Sequence, residues 1–175
     1  MILAGIILAE AAGIYDGKFV CQSQSYGPAA RGGASKAEVV ISDEEIDYPK
    51  AIQPDVLLAM NQKSLDAYLP DLKPDGLLLV DATFVKELPT TRFIERFFHI
   101  PITQIARQQV GKEMAANIVA LVALAALSGA VTLKSLETAV LARVPKGTED
   151  LNKKALEAGI NAAKRHLKEK TVRSQ

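Results

Sequence analysis

Two short runs, Val56 to Met60 and Leu77 to Val80, are apolar at every position. A strand with one wet face alternates apolar and polar residues, so an unbroken apolar strand must be covered on both faces. The residues between the runs read as a short helix, Gln62 to Leu69, and a turn, Lys73-Pro74-Asp75-Gly76. Strand, helix, turn and strand in that order form a parallel crossover unit, which is right-handed in nearly all proteins. Such a unit demands helices above and below it.

The flanking sequence supplies them. Residues 2 to 13 predict an apolar-faced helix with Gly13 as its stop. Phe19 to Ser23 and Ala37 to Ser42 predict strands on either side of a polar loop, and Phe97 to Ile100 predicts another strand before Pro101. Ile102 to Val110, Lys112 to Leu127 and Leu133 to Arg143 predict helices. A last helix follows the Pro145-Lys146-Gly147 break, with Thr148 as N-cap and Glu149 and Asp150 at its positive end. The expectation is an α/β fold: a Rossmann-like, three-layer, parallel-rich sheet with helices on both faces and a helical C-terminal part. No repeat or linker divides the chain, so residues 1–175 are expected to be one domain.

Composition excludes several chemistries. A net charge of +1 gives no reason to expect nucleic acid. The basic residues Lys164, Arg165, Lys168, Lys170 and Arg173 read as a solvated helix face. Met1 to Leu8 lacks a positive leader and runs into Glu10, and Ile118 to Val131 is too short to span a bilayer, so a cytoplasmic chain without membrane segments is expected. The one cysteine, Cys21, forms no intrachain disulfide and builds neither a thiolate zinc site nor an iron–sulfur cluster. Its two histidines, His99 and His166, are remote from it in sequence. No cofactor site is expected in this chain.

The stretch Gln22 to Gly33 is the most unusual. Gly27-Pro28 sets a sharp turn, Gly32-Gly33 permits positive φ angles, and Arg31 offers a planar fork for a carboxylate or phosphate. On these residues alone it is either a binding surface or a well-capped connection. The start of the chain is also unusual. An open α/β fold normally enters by a strand and a glycine-rich turn before its first helix, whereas this chain begins inside what reads as that helix.

Gln24-Ser25-Tyr26-Gly27-Pro28-x-x-Arg31-Gly32-Gly33 resembles the gamma subunit (or gamma domain) of the 2-oxoacid:ferredoxin oxidoreductases. Ser35 to Ser42, Asp55 to Met60, Leu72 to Val80, Ala116 to Leu121 and Val144 to Thr148 resemble further family segments in family order. Within the family the chain looks most like subunits of 2-oxoglutarate-type enzymes. The family usually places a strand and a Gly-x-Gly-Gly-Gln-Gly-Val turn ahead of an Ile-Leu-Ala-Gly helix. Ile2-Leu3-Ala4-Gly5 is present here. The resemblance thus implies a truncated N-terminus, a sheet short of one strand, and no anion-binding turn.

The resemblance further implies an enzyme that decarboxylates a 2-oxoacid on thiamine diphosphate, passes electrons through iron–sulfur clusters to ferredoxin, and delivers the acyl group to coenzyme A. Those ligands would sit on alpha, beta and ferredoxin-like delta subunits. This chain would buttress them and border the coenzyme A channel, and in isolation it could pair with itself through an open sheet edge.

The interface or coenzyme A-binding candidates are Gln24, Ser25, Tyr26, Gly27, Arg31, Gly32, Gly33 and Asn117; none is catalytic and none binds metal. Arg31 would contact a partner carboxylate or a coenzyme A phosphate, or else pair locally with Glu38 or Asp43. Tyr26 is either an interface residue or a satisfied loop tyrosine, and the three glycines are conformational. Asn117 sits in an otherwise apolar helix, where a buried amide needs partners, as a tie to the loop or as a ligand group. Lys146-Gly147 could receive a phosphate or simply cap a helix. Asp81 ends a parallel strand where ligands often sit, so a free-standing Rossmann-like nucleotide-binding protein is the competing reading.

Overall fold

The computed structural model describes residues 1–25, 35–88 and 94–173, with side chains to residue 168. The crossover unit forms as expected: β3 (Val56–Ala59) and β4 (Leu77–Asp81) pair in parallel, and β5 (Arg96–Ile100) adds in parallel on the far side of β4. The period of two along β4 explains its apolar run. Leu77 and Leu79 enter the main core, while Leu78 and Val80 enter a smaller cluster with Leu65, Leu72 and Val85 under α2 (Gln62–Tyr68). All four are 0% exposed, so neither face of β4 tolerates a polar side chain.

The early strands do not join that sheet. β1 (Phe19–Ser25) and β2 (Lys36–Ser42) form a separate antiparallel pair, in register from Phe19 opposite Ser42 to Ser25 opposite Lys36. Their connection is shorter than the dozen or more residues a parallel crossover requires, so it can only fold back. Gln24 and Ser25, expected in the loop, are therefore strand residues opposite Ala37 and Lys36.

α1 (Ile2–Glu10) lies against the face of this pair that carries Val20, Gln22, Val39 and Ala37. Gly5 makes that approach possible, because a Cβ there would come within 2.7 Å of the Ala37 Cβ. The helix runs on as a wider π turn, Ala11–Tyr15, instead of stopping at Gly13. The left-handed residue is Gly17, at φ +69°, whereas a Cβ on Gly13 would meet the Val20 side chain at 3.3 Å. Gly13 serves close packing, and Gly17 supplies the stop.

The C-terminal helices cover the main core. α3 (Ile102–Ile105) continues through a π turn to Val110, and a short 3₁₀ turn leads into α4 (Ala116–Ser128). α5 (Leu133–Arg143) packs by the end of α1, and α6 (Glu149–Arg173) lies along α4. Lys164, Arg165 and Lys168 are exposed, as a solvated face requires.

Asp16 ties the first turn to α5. Its carboxylate accepts from Thr132 N (2.8 Å), Thr132 Oγ1 (2.9 Å) and Ser135 Oγ (2.6 Å). Burial alone would raise this carboxyl, but these bonds and the Lys18 charge outweigh it and hold the group below the ordinary aspartate value. A folded-state value below the unfolded one means stability that is complete above the unfolded value and lost as pH falls through the folded one. Asp16→Asn should therefore flatten the stability profile below about pH 4; urea midpoints measured down the acid limb would show the wild type losing more than the variant.

Candidate functional site

In sequence, the loop identified above joins the end of β1 at Ser25 to the start of β2 at Lys36. Tyr26, Gly27, Arg31, Gly32 and Gly33 lie outside the described residues. At the base of the loop, Gln24 is exposed and Ser25 half-buried. On the face of β2 away from α1, Lys36 Nζ pairs with Glu38 at 3.0 Å and lies 5.3 Å from the centre of the Tyr68 ring. Glu38 also accepts from Ser23 Oγ at 3.4 Å, and Asp43 pairs with Lys18 at 2.7 Å. Both acids considered as local partners for Arg31 thus have neighbours of their own.

Between β2 and β3 the fold leaves a cleft of about 750 Å³. One wall is β2 from Lys36 to Ile41, and the other is the approach to β3 and the strand itself, Gln53 to Leu58. Ala4, Gly5 and Leu8 of α1 with Leu121, Leu124 and Ala125 of α4 make the apolar floor. Lys63, Ser64 and Tyr68 border it from the α2 side. No local motif in the sequence marks the walls of this cleft.

Asn117 lies in the first turn of α4, half-buried, and its Oδ1 accepts from the Ile118 N–H at 2.9 Å. The amide need expected of a buried asparagine is met partly by that unpaired helix-start donor. Residues 117, 121, 124 and 128 share one helical stripe, so Asn117 stands one turn beyond the side chains that floor the cleft. The structure thus aligns Asn117 with the cleft floor.

Two other positions are occupied by local structure. Asp81, 0% exposed, accepts from Thr83 N (2.9 Å), Thr103 N (3.2 Å) and Thr103 Oγ1 (2.5 Å). It ties the end of β4 to the start of α3, and its oxygens are committed to protein donors. At the start of α6 the Gly147 N–H donates to Glu149 Oε2 at 2.8 Å, and Thr148 Oγ1 donates to the Pro145 carbonyl at 2.7 Å. A carboxylate from the helix itself holds the spot a phosphate would take, which makes Lys146-Gly147 a cap.

Cys21, His99 and His166 sit on β1, β5 and α6. His99 Nε2–H donates to the Val85 carbonyl (3.3 Å) and its ring stacks on Phe97, while His166 Nδ1–H donates to the Ala162 carbonyl (3.0 Å). Among the described residues no three His, Cys, Asp or Glu side chains gather as a metal site, and no helix is long and apolar enough to cross a membrane. The donor set does not fit an iron–sulfur cluster, because one thiol cannot furnish its ligands.

Residues 1–162 match the sequence profile of the family described as pyruvate ferredoxin/flavodoxin oxidoreductase. The 2-oxoglutarate synthase subunit KorC of Methanothermobacter marburgensis is 48% identical over 163 residues, covering 91% of this chain and 88% of that one. The ketoisovalerate oxidoreductase subunit VorA of Methanothermobacter thermautotrophicus is 35% identical over 93% of this chain, which spans only 34% of VorA. The keto/oxoacid ferredoxin oxidoreductase gamma subunit from Geobacter sulfurreducens PCA superposes with a TM-score of 0.82 at 50% identity, covering 93% of this chain and 90% of that one. These likenesses bear out the α/β fold and do not favour the free-standing nucleotide-binding reading.

Proposed function

Because this chain belongs to the pyruvate ferredoxin/flavodoxin oxidoreductase family, we propose that it works as the gamma-type subunit of a heteromeric 2-oxoacid:ferredoxin oxidoreductase of the 2-oxoglutarate type. The observation that carries this reading is its likeness, near half of all residues identical and nearly end to end, to KorC and to a solved gamma subunit. Residues 1–175 act as one gamma-type domain. Its partners are the other subunits, of alpha, beta and ferredoxin-like delta type. They carry thiamine diphosphate, which supplies the decarboxylation chemistry, and the iron–sulfur clusters. The present chain forms a rigid flank on which those subunits assemble, and it borders the path of coenzyme A.

Within that role, the loop from Gln24 to Gly33 is the contact surface. Gln24 and Ser25 frame it, Tyr26 and Arg31 make the polar contacts, and Gly27, Gly32 and Gly33 let another backbone come close. Asn117 supports the same region from the start of α4.

Reconstitution tests the proposal. The partner subunits lacking this chain should oxidise 2-oxoglutarate at a small fraction of the complete rate, and adding the purified chain, inactive alone, should restore turnover. Arg31→Ala should weaken assembly by sedimentation or raise the coenzyme A KM about tenfold, the loss expected of a charge-assisted contact. Full turnover without the chain would exclude the subunit role; an Arg31→Ala complex with unchanged assembly and kinetics would exclude only the loop.

A further inference from the structure

The loop that follows β4, Ala82 to Glu87, is held along its whole length. The Ala82 N–H donates to the Ile100 carbonyl (2.8 Å), and the Thr83 N–H donates to the Asp81 carboxylate (2.9 Å). The Phe84 and Val85 N–H groups donate to the Asp81 carbonyl at 3.1 and 2.9 Å. The Gln62 side chain closes the far end. Its Oε1 accepts from Lys86 N (3.1 Å) and Glu87 N (3.0 Å), and its Nε2 donates to the Glu87 carbonyl (3.0 Å). Val85 is buried in the smaller apolar cluster. Surface loops are ordinarily the most mobile part of a fold, so this degree of fixation raises the question of what the loop presents.

It presents Phe84. The residue is 46% exposed, so its ring contributes little burial to the fold. The Arg107 guanidinium lies 5.9 Å from the ring centre. Arg107 belongs to the π turn that follows α3, a kind of wide turn that recurs at functional sites. Its Nε–H donates to Glu113 at 2.8 Å, and the next residue, Met114, is 89% exposed. Aromatic residues, arginine and methionine are the side chains enriched where proteins meet, and aromatic and arginine anchors supply most of the binding energy there. A ring whose backbone is already fixed loses little further freedom on docking. The exposed charges alongside, Lys86, Arg107 and Lys112 against Glu87 and Glu113, leave the surface positive. A guanidinium whose Nε serves Glu113 has further N–H groups for a second carboxylate.

We infer that Phe84, Arg107 and Met114 form a docking face for another subunit of the complex, which covers the ring with apolar side chains and sets a carboxylate against Arg107. This rests on the subunit role proposed above. In VorA the same unit is part of a much longer chain, so there it is joined to further polypeptide.

Sedimentation of the full chain with the remaining subunits, at graded concentrations, tests the face. Phe84→Ala and Arg107→Ala should each raise the Kd about tenfold or more. The double variant should lose less than the product of the two, because both side chains act at one contact. Met114→Glu, at a position too exposed to disturb folding, should weaken binding as well. Ile14→Ala, at a 68% exposed apolar residue on another element, should stay within about twofold of wild type. If Phe84→Ala lowers the melting temperature of the isolated chain, Met114→Glu decides. Normal binding by Phe84→Ala and Met114→Glu overturns the docking face and leaves the subunit role standing. No binding by the wild type overturns the subunit role and the face with it. An equal loss for Ile14→Ala also overturns the face. So does a raised coenzyme A KM with unchanged assembly, which makes the surface a ligand site. Self-association of the isolated chain that Phe84→Ala abolishes overturns it in favour of a second copy.

Discussion

Asp81→Ala should lower the stability of this protein by about 3–5 kcal/mol, the largest loss expected of a single side chain outside the hydrophobic core. The carboxylate is completely buried, and it satisfies Thr83 N, Thr103 N and Thr103 Oγ1 at one point. Alanine would strand those donors away from water, at about 1–3 kcal/mol for each that finds no substitute. It would also release the loop after β4 from the start of α3. For a chain of this size the thermal midpoint should fall by roughly 10 °C or more. Asp81→Asn, which keeps an acceptor and the shape, should fall between the two. A melting curve for Asp81→Ala within a degree or two of wild type would show that the buried network contributes little.

Gly159→Val should be nearly as damaging, through packing and not hydrogen bonding. Gly159 faces α4 where a Cβ would lie 2.7 Å from the Val119 carbonyl oxygen and 3.0 Å from the Val122 Cβ. The neighbouring contact residues, Ala155, Ala158, Ala162 and Ala163 on α6 with Ala116, Ala120 and Ala123 on α4, are all buried and small. That is the composition of two helices pressed close together. Valine would clash with backbone, which cannot rotate away, so the helices must separate along their length. An overpacking cost of about 2–3 kcal/mol is expected. Gly159→Ala should lose less, because better helix propensity returns up to about 1 kcal/mol. Urea unfolding of the two variants would rank them; a valine variant as stable as wild type would mean the α4–α6 contact is slack.

Gly159 also marks a limit of the sequence. Inside a helical pattern it reads as a mild helix weakener, and only the position of the Val119 carbonyl reveals its purpose. Gly13 carries the opposite lesson. A glycine after an apolar helical run predicts a stop, yet the helix runs past it and the positive φ is at Gly17. In each case a local propensity was legible, while the neighbour that decides its meaning is far away in sequence or packs from another element.

For the candidate site the division is similar. The loop motif from Gln24 to Gly33 was visible because it is a contiguous string with unusual turn chemistry. Its base shifted by two residues, since Gln24 and Ser25 gain backbone partners in Ala37 and Lys36 that no local pattern announces. Asp81 stood out by its place at the end of an apolar strand, but the three donors that occupy it come from Thr83 and Thr103. A carboxylate that sequence alone leaves free for a ligand is already committed.

The sequence by itself determined the parallel unit β3–α2–β4, the order of the helices and the family, because periodicity and contiguous motifs are properties of neighbours along the chain. Only the tertiary structure decided that β1 and β2 stand apart from the parallel sheet, that α1 can approach β2 through Gly5, and that β2 and β3 border one cleft. Those facts depend on distances between residues dozens of positions apart, which packing and backbone pairing set and composition does not record.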